Sequence, residues 1–235
     1  MTNLAASALQ FASALEEIIN GTVSSEIEFM VDVIADSDEA FIYPRGSTPA
    51  EPVLIPIATS EYSEYAPWLF LKVVYKVSLH PERGYLTVLS SIFSLGISGR
   101  PFSPAVRIEF ERGGGYEPEY ESRGRHTRSA AHVQIHGTSN ELYYIQHRLG
   151  LTRIRNLESF HFPVGGRRFR PSLEDFIEFL ESEKLIPEIG SEARGILNRH
   201  RKIWLEIQLK AAIANSPETA ANKLREMGYV VQDPK

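Results

Sequence analysis

The chain has no cysteine, which excludes disulfides and thiolate metal centres and leads us to expect a reducing compartment such as the cytosol. It has no apolar run near the roughly 20 residues that a membrane-spanning helix needs. The N-terminus has no basic flank of a secretory signal and carries Glu16 and Glu17 instead. Between residues 100 and 170 there is no lysine, although there are twelve arginines. Phosphate-loop and dinucleotide fingerprints are missing, as is a Gly-x-Ser-x-Gly elbow. Thiol catalysis and elbow-type serine hydrolysis are thereby excluded, and no membrane partner is expected.

The 235 residues, 43% hydrophobic and 23% charged, are enough for a soluble chain to bury a sizeable core. The net charge of −5 hides an asymmetry: residues 1–66 hold eleven acids against one base, Arg45, a net of −10. The remainder is basic, so the acidic part either packs against it or faces solvent. Three segments are expected: an acidic 1–66, an α+β core over 67–187 holding a mainly antiparallel sheet from about 68 to 164, and a C-terminal helical extension over 188–235 forming one unit with the core.

Helical periodicity places Leu4, Ala8, Phe11, Leu15 and Ile18 on one stripe, and Asn20-Gly21 suits a helix end. Period-two alternation over residues 26–34 predicts a strand. The proline-bearing stretch 36–65 reads as a linker with one short strand near Val53–Ala58. Residues 68–79 and 85–97 form a hairpin around His80-Pro81-Glu82-Arg83-Gly84, and 104–112 adds a strand with one polar face. Beyond the glycine-rich loop 112–130 come a strand at 131–136, a helix to Leu149 and a strand at 158–164. Helices over 172–183 and 191–214 follow, and Ser216-Pro217-Glu218 starts the last one.

The chemistry concentrates between His132 and Pro171, which holds four of the seven histidines. Alternation puts His132, Gln134 and His136 on one side of their strand and Val133 and Ile135 on the other. His161 points away from Phe160 and Phe162. If the strand 104–112 shares the sheet, Arg107, Glu109 and Glu111 join the polar face. Val133, Ile135, Phe160, Phe162, Phe176 and Leu180 are expected in the core, and His136 and His161 outside it. Next to the helix at 172, Gly165 and Gly166 permit close backbone approach, while Arg167, Arg168 and Arg170 supply charge. Together with a helix N-terminus they suit a phosphate group.

Histidines beside a phosphate cradle suit phosphodiester cleavage without a metal or cofactor. One of His132, His136 and His161 would take a proton, a second would give one, and arginine would stabilise the developing charge. The plainer readings are a strand-to-helix turn with solvated arginines, and histidines that merely solvate a sheet. His132 and His136 are roughly 13 Å apart along a strand, too far to share an ion, so a metal-dependent hydrolase would need His136 with His161 or Glu109. The run His132-Val133-Gln134-Ile135-His136 resembles that of histidine-triad nucleotide hydrolases and transferases over five residues. Gln134 stands where that family has its nucleophile, so no role is carried over. The expected partners are a nucleotide or single-stranded nucleic acid, bound through arginines and Tyr116, Tyr120, Tyr143, Tyr144 and Phe169. A non-catalytic alternative is an adaptor or antitoxin-like module that binds a protein through its N- or C-terminal helices.

Overall fold

A computed structural model of the chain describes residues 3–46, 48–49, 53–57, 69–82, 84–97, 103–112, 130–137, 140–148, 156–157, 162–164 and 170–232. Within them the order is α1 (Asn3–Asn20), β1 (Phe29–Val33), β2 (Glu39–Pro44), β3 (Ile55–Pro56), β4 (Leu69–Leu79), β5 (Leu86–Ile97), β6 (Ser103–Glu111) and β7 (Ala131–Ile135). Then follow α2 (Asn140–Arg148), β8 (Phe162–Pro163), α3 (Leu173–Ser182), α4 (Ser191–Asn215) and α5 (Pro217–Glu226). The strands form one antiparallel sheet in the order β1-β2-β4-β5-β6-β7-β8, with β3 also on β4. The fold is α+β.

The β4–β5 hairpin is the centre, paired from Leu69↔Ile97 to Leu79↔Leu86 with a bulge at Lys76/Val77. Its turn closes through Gly84, whose φ of +66° is cheap only without a side chain. Alternation on β4 sends Leu71, Val73, Tyr75 and Val77 to one face, where all are buried. Phe93 and Leu95 of β5 and Val106 and Phe110 of β6 share it. Helices cover this face: Phe11 of α1 meets Tyr75 edge-on at 4.9 Å, and Phe176 of α3 stacks on Phe93 at 5.9 Å.

The sheet extends further towards the N-terminus than 68–164. β2 pairs with β4 and β1 with β2, so part of the expected linker is a sheet strand with Ala40 and Ile42 fully buried. The prolines obscured it: Pro44 sits at the strand's last position, where a missing N–H costs little. Gly21 ends α1 for a reason other than left-handed backbone. A side chain there would run into Ile196 of α4.

α3 starts in a reciprocal capping box, with the Asp175 N–H donating to Ser172 Oγ at 3.2 Å and the Ser172 N–H to Asp175 Oδ2 at 3.1 Å. The first half of α4 is tied down. Glu17 of α1 pairs with Arg199 and with His200 at 2.8 Å, Glu181 takes Arg194 at 2.7 Å, and Arg201 reaches Glu178 at 2.8 Å. Part of the N-terminal acidity is thus matched by bases of the C-terminal extension. Beyond Leu197 no residue of α4 or α5 is fully buried. No helix among the described residues is long and apolar enough to cross a membrane.

Phe176 is fully enclosed between the sheet and α3. Replacing it with alanine is expected to cost about 3–5 kcal/mol, read as a shift in the urea unfolding midpoint.

Candidate functional site

The strand 131–135 pairs with β6 so that Gln134 lies opposite Arg107 and His132 opposite Glu109. The predicted polar face is therefore assembled by direct cross-strand neighbours. His132 Nε2 lies 3.0 Å from Glu109 Oε2, and Arg107 Nη1 donates to Glu109 Oε1 at 2.8 Å. The same row continues onto β5 and β4, since Ser94 faces Arg107 and Lys72 faces Ser94.

Its exposure differs from the expectation. His132 is 3% exposed and Gln134 9%, whereas Ile135 is 45% and Phe162 41% exposed. Phe176 and Leu180 are buried as expected, and Val133 is partly buried. Alternation tells which side chains share a face but not which face is covered, and here the polar face is enclosed around β6 and β7. His136 is partly buried and Glu111 exposed. His136 donates its backbone N–H to Ala105 at 2.9 Å, and Glu111 donates its own to Ala130 at 2.7 Å. His161, Gly165, Gly166, Arg167 and Arg168 lie outside the described residues, as do Phe160, Phe169, Tyr116 and Tyr120.

Enclosure sets the electrostatics. The hydrogen bond from His132 first, then the contact with Arg107, hold the Glu109 carboxyl down at about 2 from its ordinary 4.5, against burial. Lys72 is pulled below the usual lysine value, by burial first and then by neighbouring Arg107. Ser94 Oγ is buried without a hydrogen-bond partner. Nothing in the local sequence marks Lys72 and Ser94, because strand order decides their place. Among the described residues, no group of three histidine, aspartate or glutamate side chains is arranged to hold a metal ion.

Arg170 belongs to the opposite face. It is 8% exposed, and its guanidinium lies 4.0 Å from the Trp204 ring and about 6 Å from those of Tyr75 and Phe110. Burial works against its charge, while the Tyr75 hydroxyl within hydrogen-bonding reach and nearby Glu174 support it. Among the described residues, Nη1 has no hydrogen-bond partner. The side chain lines a cavity of about 960 Å³ between the start of β5, the end of β6, the outer half of α4 and α5. Arg112 and Lys223 line it too, and none of the described lining residues is acidic. Arg112 donates through Nε to the Val88 carbonyl at 2.9 Å. Sequence reading missed Trp204, Arg112 and Lys223, which lie far apart along the chain.

The sheet thus separates His132, Glu109 and Arg107 from Arg170. The first group is an internally paired charge cluster, and the second is a buried cation open to a cavity. Comparison with models of known families, with curated proteins and with solved structures finds no match.

The depressed Glu109 carboxyl gives stability that is fully present above pH 4.5 and is lost as pH falls towards about 2. Glu109→Gln is expected to flatten that part of the acid limb when unfolding midpoints are compared across the window. An unchanged slope would show that the ion cluster contributes nothing there.

Proposed function

We propose that the protein binds a phosphate-bearing small molecule in the cavity lined by Arg170. The observation that carries this reading is the buried guanidinium whose Nη1 has no partner. An unmet donor in a buried position costs about 1–3 kcal/mol, more for a charged group, and an anion in the cavity would remove that cost. A planar guanidinium fits phosphate or carboxylate oxygens in a way an ammonium does not. Arg112 is close enough for its charge to act at Arg170 and adds to the pull on an anion, whereas Lys223 is already paired with Glu226 at 3.0 Å. The volume falls within the range of ligand sites.

This reading keeps the phosphate part of the sequence expectation and gives less support to the phosphodiesterase. Cleavage would need a histidine at the scissile group, and His132 is across the sheet, engaged with Glu109. A second reading has its own observation. Ile203, Leu205, Leu224, Met227 and Tyr229 on and just beyond the terminal helices are 41–61% exposed, which favours a protein-binding role for that extension.

Calorimetric titration with inorganic phosphate and with adenosine monophosphate at low salt tests the first reading. Arg170→Gln is expected to weaken phosphate binding by about ten- to a hundredfold or more, the scale for truncating one partner of a buried charged pair. Equal affinity in wild type and variant, or no binding by the wild type, would overturn it.

A further inference from the structure

The anion site occupies one end of a much larger space, and the rest of that space has a different chemistry. On the sheet side Leu86, Val88 and Phe110 line it. On the helix side the lining runs along α4 through Trp204, Ile207, Ala211 and Asn215, a stripe at three- and four-residue steps. From Trp204 to Asn215 that wall is about 16 Å long at the helical rise per residue. Its apolar side chains are wet: Ile207 and Ile213 are each 48% exposed. A phosphate group alone, a few times the roughly 30 Å³ share of one water molecule, leaves most of this wall uncovered.

The aromatic faces near the anion site are also engaged. Trp204 carries the Arg170 guanidinium, and Phe110 lies within about 6 Å of both Arg170 and Arg112. That leaves little platform for a nucleobase. An extended hydrocarbon needs none. It would lie along the α4 stripe with its charged head on Arg170 and repel no carboxylate, because none of the described lining residues is acidic.

We infer that the ligand is a single-chain amphiphilic anion, an alkyl chain ending in a phosphate or carboxylate. Its head sits at Arg170 Nη1 and its chain between β5–β6 and the outer half of α4. This rests on the reading of Arg170 as the anion anchor and adds the chemistry of the attached group. The head sets orientation, and the chain supplies most of the affinity through the apolar area it covers.

The experiment is calorimetric titration of the full chain, below micelle-forming concentrations, with dodecyl phosphate, inorganic phosphate, adenosine monophosphate and dodecyltrimethylammonium. Dodecyl phosphate is expected to bind one-to-one and about a hundredfold tighter than inorganic phosphate, a conservative share of what twelve methylene-sized groups yield on burial. The cation of the same chain length is expected to bind at least about tenfold more weakly than dodecyl phosphate, for want of the charged hydrogen bond at Arg170. Ile213→Asn puts a neutral polar side chain on an exposed wall position well along α4 from Trp204 and is expected to cut the advantage of the chain severalfold while inorganic phosphate, held at Arg170, binds as before. Arg170→Gln is expected to weaken both phosphates, and circular dichroism confirms that each variant folds. If inorganic phosphate binds through Arg170 but dodecyl phosphate binds no tighter, or adenosine monophosphate binds tighter than dodecyl phosphate, the chain inference fails and the anion reading stands. If no phosphate binds, both fail. If the cation binds as well as dodecyl phosphate, the oriented head is wrong.

Discussion

An antiparallel sheet ordinarily gives one face to helices and the other to water. Here His132 and Gln134 on the polar face are also buried where β6 meets β7, and the charge arrangement follows from that. A buried ion is tolerable only with a partner and satisfied hydrogen bonds. Glu109 is the shared partner, taking Arg107 on one oxygen and His132 on the other. Its depressed carboxyl and the burial of His132 are two sides of one arrangement. Removing Glu109 alone would leave His132 and Arg107 without it. Removing His132 alone would leave Glu109 with Arg107.

On the helical face the constraint is the opposite one. The described lining of the cavity places no carboxylate to meet Arg170, so its charge is held by aromatic faces, the Tyr75 hydroxyl and the more distant field of Glu174. Stacking on Trp204 satisfies the flat faces of the guanidinium but does nothing for donors in its plane. A cation supported face-on and left unmet at Nη1 is primed for an in-plane acceptor there. This distinguishes it from the arginines of α4, where Arg199, Arg194 and Arg201 are ion-paired to Glu17, Glu181 and Glu178.

Most of the secondary structure was legible because it rests on local periodicity. The stripe of α1, the β-branched and aromatic composition of β4 and β5, the alternation of β6 and β7 and the Ser216-Pro217 start all act within a turn or a strand. β2 was obscured because Asp36, Asp38, Pro44 and Pro49 surround the four-residue apolar run Ala40–Tyr43 with turn chemistry. Partnership with β4, far along the chain, decides the matter. The pairing of Glu109 with His132 could be anticipated once β6 and β7 were placed in one sheet. The burial of that pair could not, since occlusion depends on what lies over a face. Arg170 stood in the sequence as one of three clustered arginines, and nothing local marked it as the one that turns inward against Trp204, a residue 34 positions away.

α4 connects these observations. Its first half braces the core through Leu197 and ion pairs to α1 and α3, so its direction is fixed before it leaves the body. The second half continues along that line because a helix, once nucleated, extends at little cost. It carries Ile203, Leu205, Ile207, Leu209 and Ile213 into solvent. A sequence selected only for a solvated arm would place charges at these positions, since apolar side chains there gain nothing from folding. Ile207, Leu209 and Ile213 border the cavity together with Gln208, Ala211 and Ala212. A helix braced at its base and carrying exposed isoleucine and leucine along the cavity holds open an apolar wall that a bound chain would cover. Arg170 Nη1 and the Thr87 hydroxyl are buried polar groups on the cavity lining that meet no hydrogen-bond partner among the described residues.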